Sequence, residues 1–356
     1  MLLIRIVRVL AAISVVFTVG TSLGQQPVDP VPGDATEQRL MQMQQEIDSL
    51  HCRLDCQATG GECLSDMCEC PYDSGWYGGA ALVFAKPFYK ESFQATSLSL
   101  LTGQMDLMGF NFDFDATPRA WLGYTRADGL GVRATFWQFD HSARPGVFVA
   151  DGTTLYTAQA MTVIFPASIV AAAPGDTLSI ANGLNVQTLD LEGTQNLRLG
   201  SFLMKGSGGL RYMSLVQDSS AYVTNGGITT QQLYWSRTYR GIGPTVGFDL
   251  RRPLGSWGLE FVGAGRGALL YGEKNLSRQV SPPSPPNPPS VELRNADDVV
   301  GGGELEIGAQ WVRQIARGGQ LYVRATYEGQ LWSDAGAPTL TFLGFEGFGL
   351  TFGLTR

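Results

Sequence analysis

The sequence predicts an all-β fold: a transmembrane antiparallel β-barrel of about 10–12 strands behind a short N-terminal α-helical, coiled-coil and Cys-rich segment. Three observations carry this. Segment after segment alternates apolar or aromatic residues with small or polar ones at a period of two. In the last, Gly347–Arg356, the side chains of Phe348, Leu350, Phe352 and Leu354 face one way and those of Thr351 and Thr355 the other. The chain opens on a secretion signal, so a greasy strand face has lipid available to it. Short turns also alternate with long connections, the two-rim pattern of a barrel rather than of a soluble sandwich.

Residues 1–24 read as a signal peptide: Arg5 and Arg8 form its positive region, Val9 to Gly20 its apolar core, and Ser22-Leu23-Gly24 a small-x-small cleavage site. The apolar run is shorter than the ~20 residues of a spanning helix. Gln25 stands where a lipidated cysteine would. Residues 25–34 form a Pro-punctuated linker. Residues 35–56 are expected to make a periplasmic amphipathic helix capped by Asp34, with Leu40, Met43, Ile47, Leu50 and Leu54 stepping by three and four as a coiled-coil seam. All five cysteines, Cys52, Cys56, Cys63, Cys68 and Cys70, cluster in the end of this helix and in the Cys-rich segment 57–74. In an oxidising compartment they are disulfide candidates, and an odd count leaves one thiol for a partner chain. With His51 they could supply zinc ligands, but the spacing fits no common zinc template, so no metal and no cofactor is expected.

Residues 75–356 are the expected barrel. Its candidate strands are Trp76–Lys86, Gly109–Arg126 (bent near Pro118), Leu130–Asp140, Leu184–Gln195, Gly208–Val216, Tyr234–Arg251, Trp257–Glu273, Gly301–Arg313, Gln320–Trp332 and Gly344–Thr355. Ala127-Asp128-Gly129, Pro253-Leu254-Gly255 and Arg317-Gly318-Gly319 supply tight turns. The connection His141–Gly183 carries an apolar run, Ala158–Ala173, broken by Pro166. It reads either as a hairpin or loop packed over the barrel mouth, or as a loop folded inward as a constriction. The proline-rich run Ser281–Pro289 reads as a surface loop.

Alternation also nominates an inward face. Charges cannot face hydrocarbon cheaply, at roughly 2–4 kcal/mol for a basic residue at the membrane midplane. The candidate lumen residues are therefore Asn111, Asp113, Asp115, Arg133, Asp190, Glu192, Glu260, Arg266, Glu304, Glu306, Arg324 and Glu328. In Phe110–Asp115 the phenylalanines are expected to face lipid. The lumen charges could filter solutes, or pair with one another and partly plug the interior. The formal charge of −7, which becomes −9 once Arg5 and Arg8 leave with the signal, argues against a nucleic-acid partner. Adjacent Asp140, His141 and Ser142 point in different directions, and no Gly-x-Ser-x-Gly, Walker or His-Glu-x-x-His motif occurs, so no enzyme activity is expected.

Several segments recur in a recognisable order: Trp121-Leu122-Gly123-Tyr124, Gly129–Arg133 with Trp137, Leu189-Asp190-Leu191-Glu192, Gly208–Tyr212, Gly241–Thr245 and Gly265–Gly272. This series resembles the Legionella-type pore-forming major outer-membrane proteins. The resemblance implies a porin-like barrel in the cell outer membrane, with its N-terminal helix in the periplasm, admitting small hydrophilic solutes or ions by passive diffusion. It brings no catalytic residues. The expected partners are outer-membrane lipid and further copies of the chain, a homo-oligomer with a trimer as one arrangement. The alternatives are a non-conducting structural envelope barrel and a secreted β-sandwich adhesin.

Overall fold

A computed structural model of the protein describes residues 74–89, 95–160, 168–199, 202–281, 290–315, 319–333, 335 and 342–356. The signal peptide, the coiled-coil helix, the five cysteines and most of the proline-rich run lie outside the described residues. In chain order the strands are β1 (Gly75–Tyr89), β2 (Ala95–Ser99), β3 (Met105–Met108), β4 (Asp115–Thr125), β5 (Leu130–Ser142), β6 (Gly146–Val149), β7 (Thr154–Ala160) and β8 (Ser168–Ala172). They continue with β9 (Thr177–Leu199), β10 (Phe202–Asn225), β11 (Ile228–Pro253), β12 (Leu259–Ser281), β13 (Ser290–Gln314), β14 (Gln320–Trp332) and β15 (Leu343–Thr355). Ten of them close into one antiparallel ring: β9 through β15 pair in sequence order, β15 pairs with β1, and β1, β4, β5 and β9 complete the circuit. Closure leaves no ring-strand edge for lipid to meet. The first and last strands pair from Tyr77↔Thr355 to Tyr89↔Leu343.

Strands β9 to β13 run 23 to 26 residues, well over the ~9–11 a tilted strand needs to cross a bilayer. A single register line marks where they leave the membrane. Phe136, Leu189, Tyr212, Ile242, Tyr271 and Val299 pair side by side across β5 and β9–β13, and all are exposed and apolar or aromatic. Two residues further from the turn-bearing rim, the same outward face carries Gln138, Gln187, Ser214, Arg240, Glu273 and Asp297, again paired in a row. Below the line the outward residues are Leu191, Leu210, Val246, Phe248, Leu305 and Ile307, all exposed, a lipid-facing belt. The short β4–β5 and β11–β12 turns and both ends of the ring lie below it, with Gly129 (φ 82°) and Gly255 (φ 85°) in left-handed positions that favour glycine.

The inward face changes in the opposite sense at the same height. Below the line it is charged. Above it, Trp137, Val186, Met213, Leu215, Tyr239, Leu270 and Val300 form a buried apolar core. Below the line the long strands are thus charged inside; above it the interior is mainly apolar, with Gln217, Arg237 and Arg278 buried further up and Lys274 paired with Asp298 at 2.7 Å.

Two sequence expectations are corrected. Residues 109–114 are not strand, and Phe112 does not face lipid: it is buried in the interior core, with Phe110 packed against that core. The alternation is real, but Phe110 and Phe112 lie where water, not lipid, is outside and turn in, while Phe114 next to the start of β4 stays exposed against Phe348. Strand β4 also runs through Pro118, which pairs with Leu82. Pairing of β4 with β5 starts only at Arg119↔Trp137, so the missing N–H costs no ladder bond on that side.

The His141–Gly183 connection is largely strand. Strand β6 pairs with β9, while β7 and β8 form a hairpin that joins β2 and β3 in a separate four-stranded sheet. Its Ala158, Val170 and Ala172 pack with Leu178, Ala221, Val223 and Leu233 from the tops of the long strands, a second apolar core.

Candidate functional site: the barrel interior

Below the membrane line the lumen holds a network of ion pairs. Arg119 on β4 meets Glu328 on β14 with two hydrogen bonds, at 3.0 and 2.7 Å. Arg133 on β5 spans Glu192 at 2.9 Å and Asp249 on β11 at 2.9 Å. Arg211 on β10 donates to Asp190, through Nη2 at 2.7 Å, and also to Glu304 on β13. Arg266 on β12 lies 3.2 Å from Asp190 and 3.3 Å from Glu192. Arg324 reaches Gln310 at 2.8 Å and Glu306 at 3.4 Å, and Gln310 donates to Glu260 at 2.8 Å. Strands β4 and β14, β5 and β11, and β10 and β13 are each separated by two others in the ring. Their pairs therefore cross the interior. Asp190, Glu192 and Arg211 are buried, and the planar fork of each arginine satisfies carboxylates from several strands at once.

The apolar core closes the space above. Trp137 and Phe139 of β5 stack edge-on against Phe345 of β15, with centroids 5.4 and 5.0 Å away, although β1 and β4 stand between those strands in the ring. Trp332 is 0% exposed and its ring faces the Arg211 guanidinium at 5.4 Å, so the charged and apolar layers touch. The Trp332 ring lies flat against Gly302, where any Cβ would collide with it. Ten strands put the barrel near the size at which side chains alone fill the interior. Towards the lower rim a cavity of about 340 Å³ remains, lined by Tyr77, Lys205, Asp249, Arg251, Tyr322 and Arg324 together with Arg119, Glu304 and Glu328 of the ion-pair layer.

Of the sequence-nominated residues, Arg133, Asp190, Glu192, Arg266 and Glu304 lie in one bonded group of this layer and Glu260, Glu306, Arg324 and Glu328 in a second. Asn111, Asp113 and Asp115 join neither. Asn111 is exposed, Asp113 pairs with Arg144 at 2.6 Å near the surface, and Asp115 meets His141 Nδ1 at 3.0 Å. The residues missed are Arg119, Arg211 and Asp249. Asp249 between Phe248 and Leu250, and Arg211 between Leu210 and Tyr212, carry the same alternation signal as the others. Arg119, between Pro118 and Ala120, lacks it. Above the membrane line, Tyr234 donates to Asp218 at 3.0 Å, and burial together with the Asp218 charge raises its phenol above the ordinary value. Asp151 accepts from the Thr153 hydroxyl and amide, which holds its carboxyl below the usual range.

The family described as the Legionella pneumophila major outer membrane protein precursor matches residues 70–341. The chain belongs to this family. Membership in the Legionella major outer membrane protein family, with a closed ring wrapped in an apolar belt, makes the protein an outer-membrane β-barrel. Among solved structures it is similar to the outer membrane protease OmpT from Escherichia coli, at 10% identity, with 80% of this chain and 96% of that chain covered and a TM-score of 0.42. It is also similar to the outer membrane protein OprG from Pseudomonas aeruginosa, at 11% identity, 79% and 98% coverage and a TM-score of 0.27. A Pseudomonas aeruginosa FadL homologue is similar at 9% identity, 79% and 89% coverage and a TM-score of 0.22. No curated protein matches the chain.

Proposed function

We propose that the protein is an outer-membrane barrel closed at its outer end, an envelope component rather than a standing diffusion pore. One observation carries this reading: an apolar cross-section from Trp137, Phe139, Tyr239, Trp332 and Phe345 lies directly above the cross-lumen ion pairs. The polar groups of this layer are already partnered, Trp137 donating to Thr117, Trp332 to Gln330 and Tyr239 to the Leu270 carbonyl, which leaves few partners for water or hydrated ions. Passive diffusion of small hydrophilic solutes or ions is the second reading, favoured by the polar cavity and the charged wall beneath the plug. It requires the apolar layer to move aside. Planar-bilayer recording of the purified full chain separates the two. Closed-barrel behaviour is a correctly inserted protein with no sustained conductance, and long-lived stepwise openings in the wild type favour the pore.

No catalytic role enters either reading. The coiled-coil seam and the odd cysteine count support a homo-oligomer, a trimer being one arrangement. Non-reducing gels of wild type against Cys52→Ser/Cys56→Ser are expected to lose a cross-linked band in the variant; identical monomer bands would dismiss a disulfide-tied assembly.

A further inference from the structure

The interior arginines of the charged layer each have a carboxylate, but the layer beneath them does not follow this rule. Lys205 and Arg251 line the cavity towards the lower rim. Arg198 and Arg251 stand on either side of Leu203 on one register line, Arg198↔Leu203↔Arg251, and their parity is that of the inward residues Glu192 and Asp249. Two strand spacings put these arginine backbones about 10 Å apart, within reach of one small anion between their side chains. Lys205 sits two residues further in on the middle strand. Its cross-strand neighbour Asp249 gives its carboxylate to Arg133 at 2.9 Å, and the Lys205 ammonium lies instead over the Tyr77 ring at 3.9 Å. Among the described residues no carboxylate is ion-paired with Arg198, Lys205 or Arg251. The Tyr77 hydroxyl, buried at the same level, makes no hydrogen bond of normal geometry.

We propose that this vestibule is a binding site for a small phosphate-type oxyanion taken from the periplasm. Lys205 and Arg251, two cations without a carboxylate on the wall of one polar cavity, repel each other unless an anion joins them. The Arg251 fork and the Lys205 point charge match a tetrahedral oxyanion, with the Tyr77 hydroxyl as a further donor and the exposed Arg198 one register step away. The cavity reaches up to the ion-pair layer, whose Arg119, Glu304 and Glu328 also line it, while Lys205 and Arg251 stand at its lower end, so the site holds whether or not the lumen conducts.

The test is calorimetric titration of inorganic pyrophosphate into the full chain held in phosphatidylcholine nanodiscs, with Lys205→Gln/Arg251→Gln compared with wild type. Arg240→Gln, on the outward face at the other end, is the control. Saturable binding by wild type and control, weakened about tenfold or more in the double variant, is expected. Heat-shifted gel mobility establishes that each variant is folded, and a single Arg251→Lys variant, which keeps the charge, is expected to bind with intermediate affinity. No saturable binding by wild type overturns the proposal, as does equal binding by the folded double variant. A second arm adds phosphatidylglycerol to the discs. If Lys205 and Arg251 matter only for retaining that lipid, and soluble pyrophosphate does not compete, the site serves headgroups and the proposal fails.

Discussion

Arg211 shows how much a single side chain carries here. It is 1% exposed and holds Asp190, also 1% exposed, together with Glu304 from across the lumen, while its guanidinium covers Trp332. Truncation leaves two carboxylates facing each other with one shared arginine, Arg266, still near both. Breaking a buried pair in this way costs about 3–5 kcal/mol, and lysine cannot replace a fork that serves two carboxylates. Arg211→Leu is therefore expected to lower the unfolding free energy of the barrel in detergent by that amount, and Arg211→Lys by most of it, from urea titrations read by the loss of heat-shifted gel mobility. A change below about 1 kcal/mol is the value for a solvated pair. Such a result would mean that water already fills the lumen, and the closed-barrel reading would go with it.

At the scale of the element, one register line decides what each long strand does. An arginine on the lipid face costs about 2–4 kcal/mol near the midplane and about 0–1 near the interface. Phe248→Arg, in the belt, is expected to impair refolding into bilayers by the larger amount, and Ile242→Arg, on the line, by the smaller. Equal penalties at the two positions would remove the boundary. The same line explains what the sequence could and could not reveal. All ten ring strands were legible, because each has a run of period-two alternation. Their lengths in β9–β13 were not. Along β9 the apolar parity is odd at Leu189 and Leu191 but even at Leu178, Ile180, Leu184 and Val186. Along β11 it is odd at Leu233, Trp235 and Tyr239 but even at Ile242, Val246 and Phe248. A parity change reads as a break between elements, yet the backbone ladder continues through it. The solvent outside has changed, not the strand. Phe112 was misplaced for the same reason; β7 and β8 were legible only as one alternative, a hairpin over the barrel mouth, and β2, β3 and β6 were missed, because strands of four to seven residues leave too little alternation to count.

The described barrel is two solvent regimes stacked on one ring: a lipid-embedded lower barrel with a charged interior, and an upper barrel whose interior opens on an aromatic layer, with a small sheet packed against its top. Since the interior beneath that aromatic layer is polar, the layer sets whether anything passes. Trp332 and Phe345 reach that layer from β14 and β15 and meet Trp137 and Phe139 from the far side. Removing two large rings there opens a gap without deleting any member of an ion pair, although Arg211 loses the Trp332 ring it covers. A Trp332→Ala/Phe345→Ala variant is accordingly expected to be destabilised by several kcal/mol, since truncating a buried aromatic costs about 3–5 kcal/mol each at most. Where it still inserts, judged by heat-shifted mobility in lipid, it should show stepwise conductance in planar bilayers that the wild type lacks. Two other outcomes decide against the plug. If wild type and variant conduct alike, the aromatic layer is not the barrier. If neither conducts although the variant is folded, the ion-pair layer itself blocks passage, and adding Arg211→Leu to the hollowed variant should then be the change that opens the lumen.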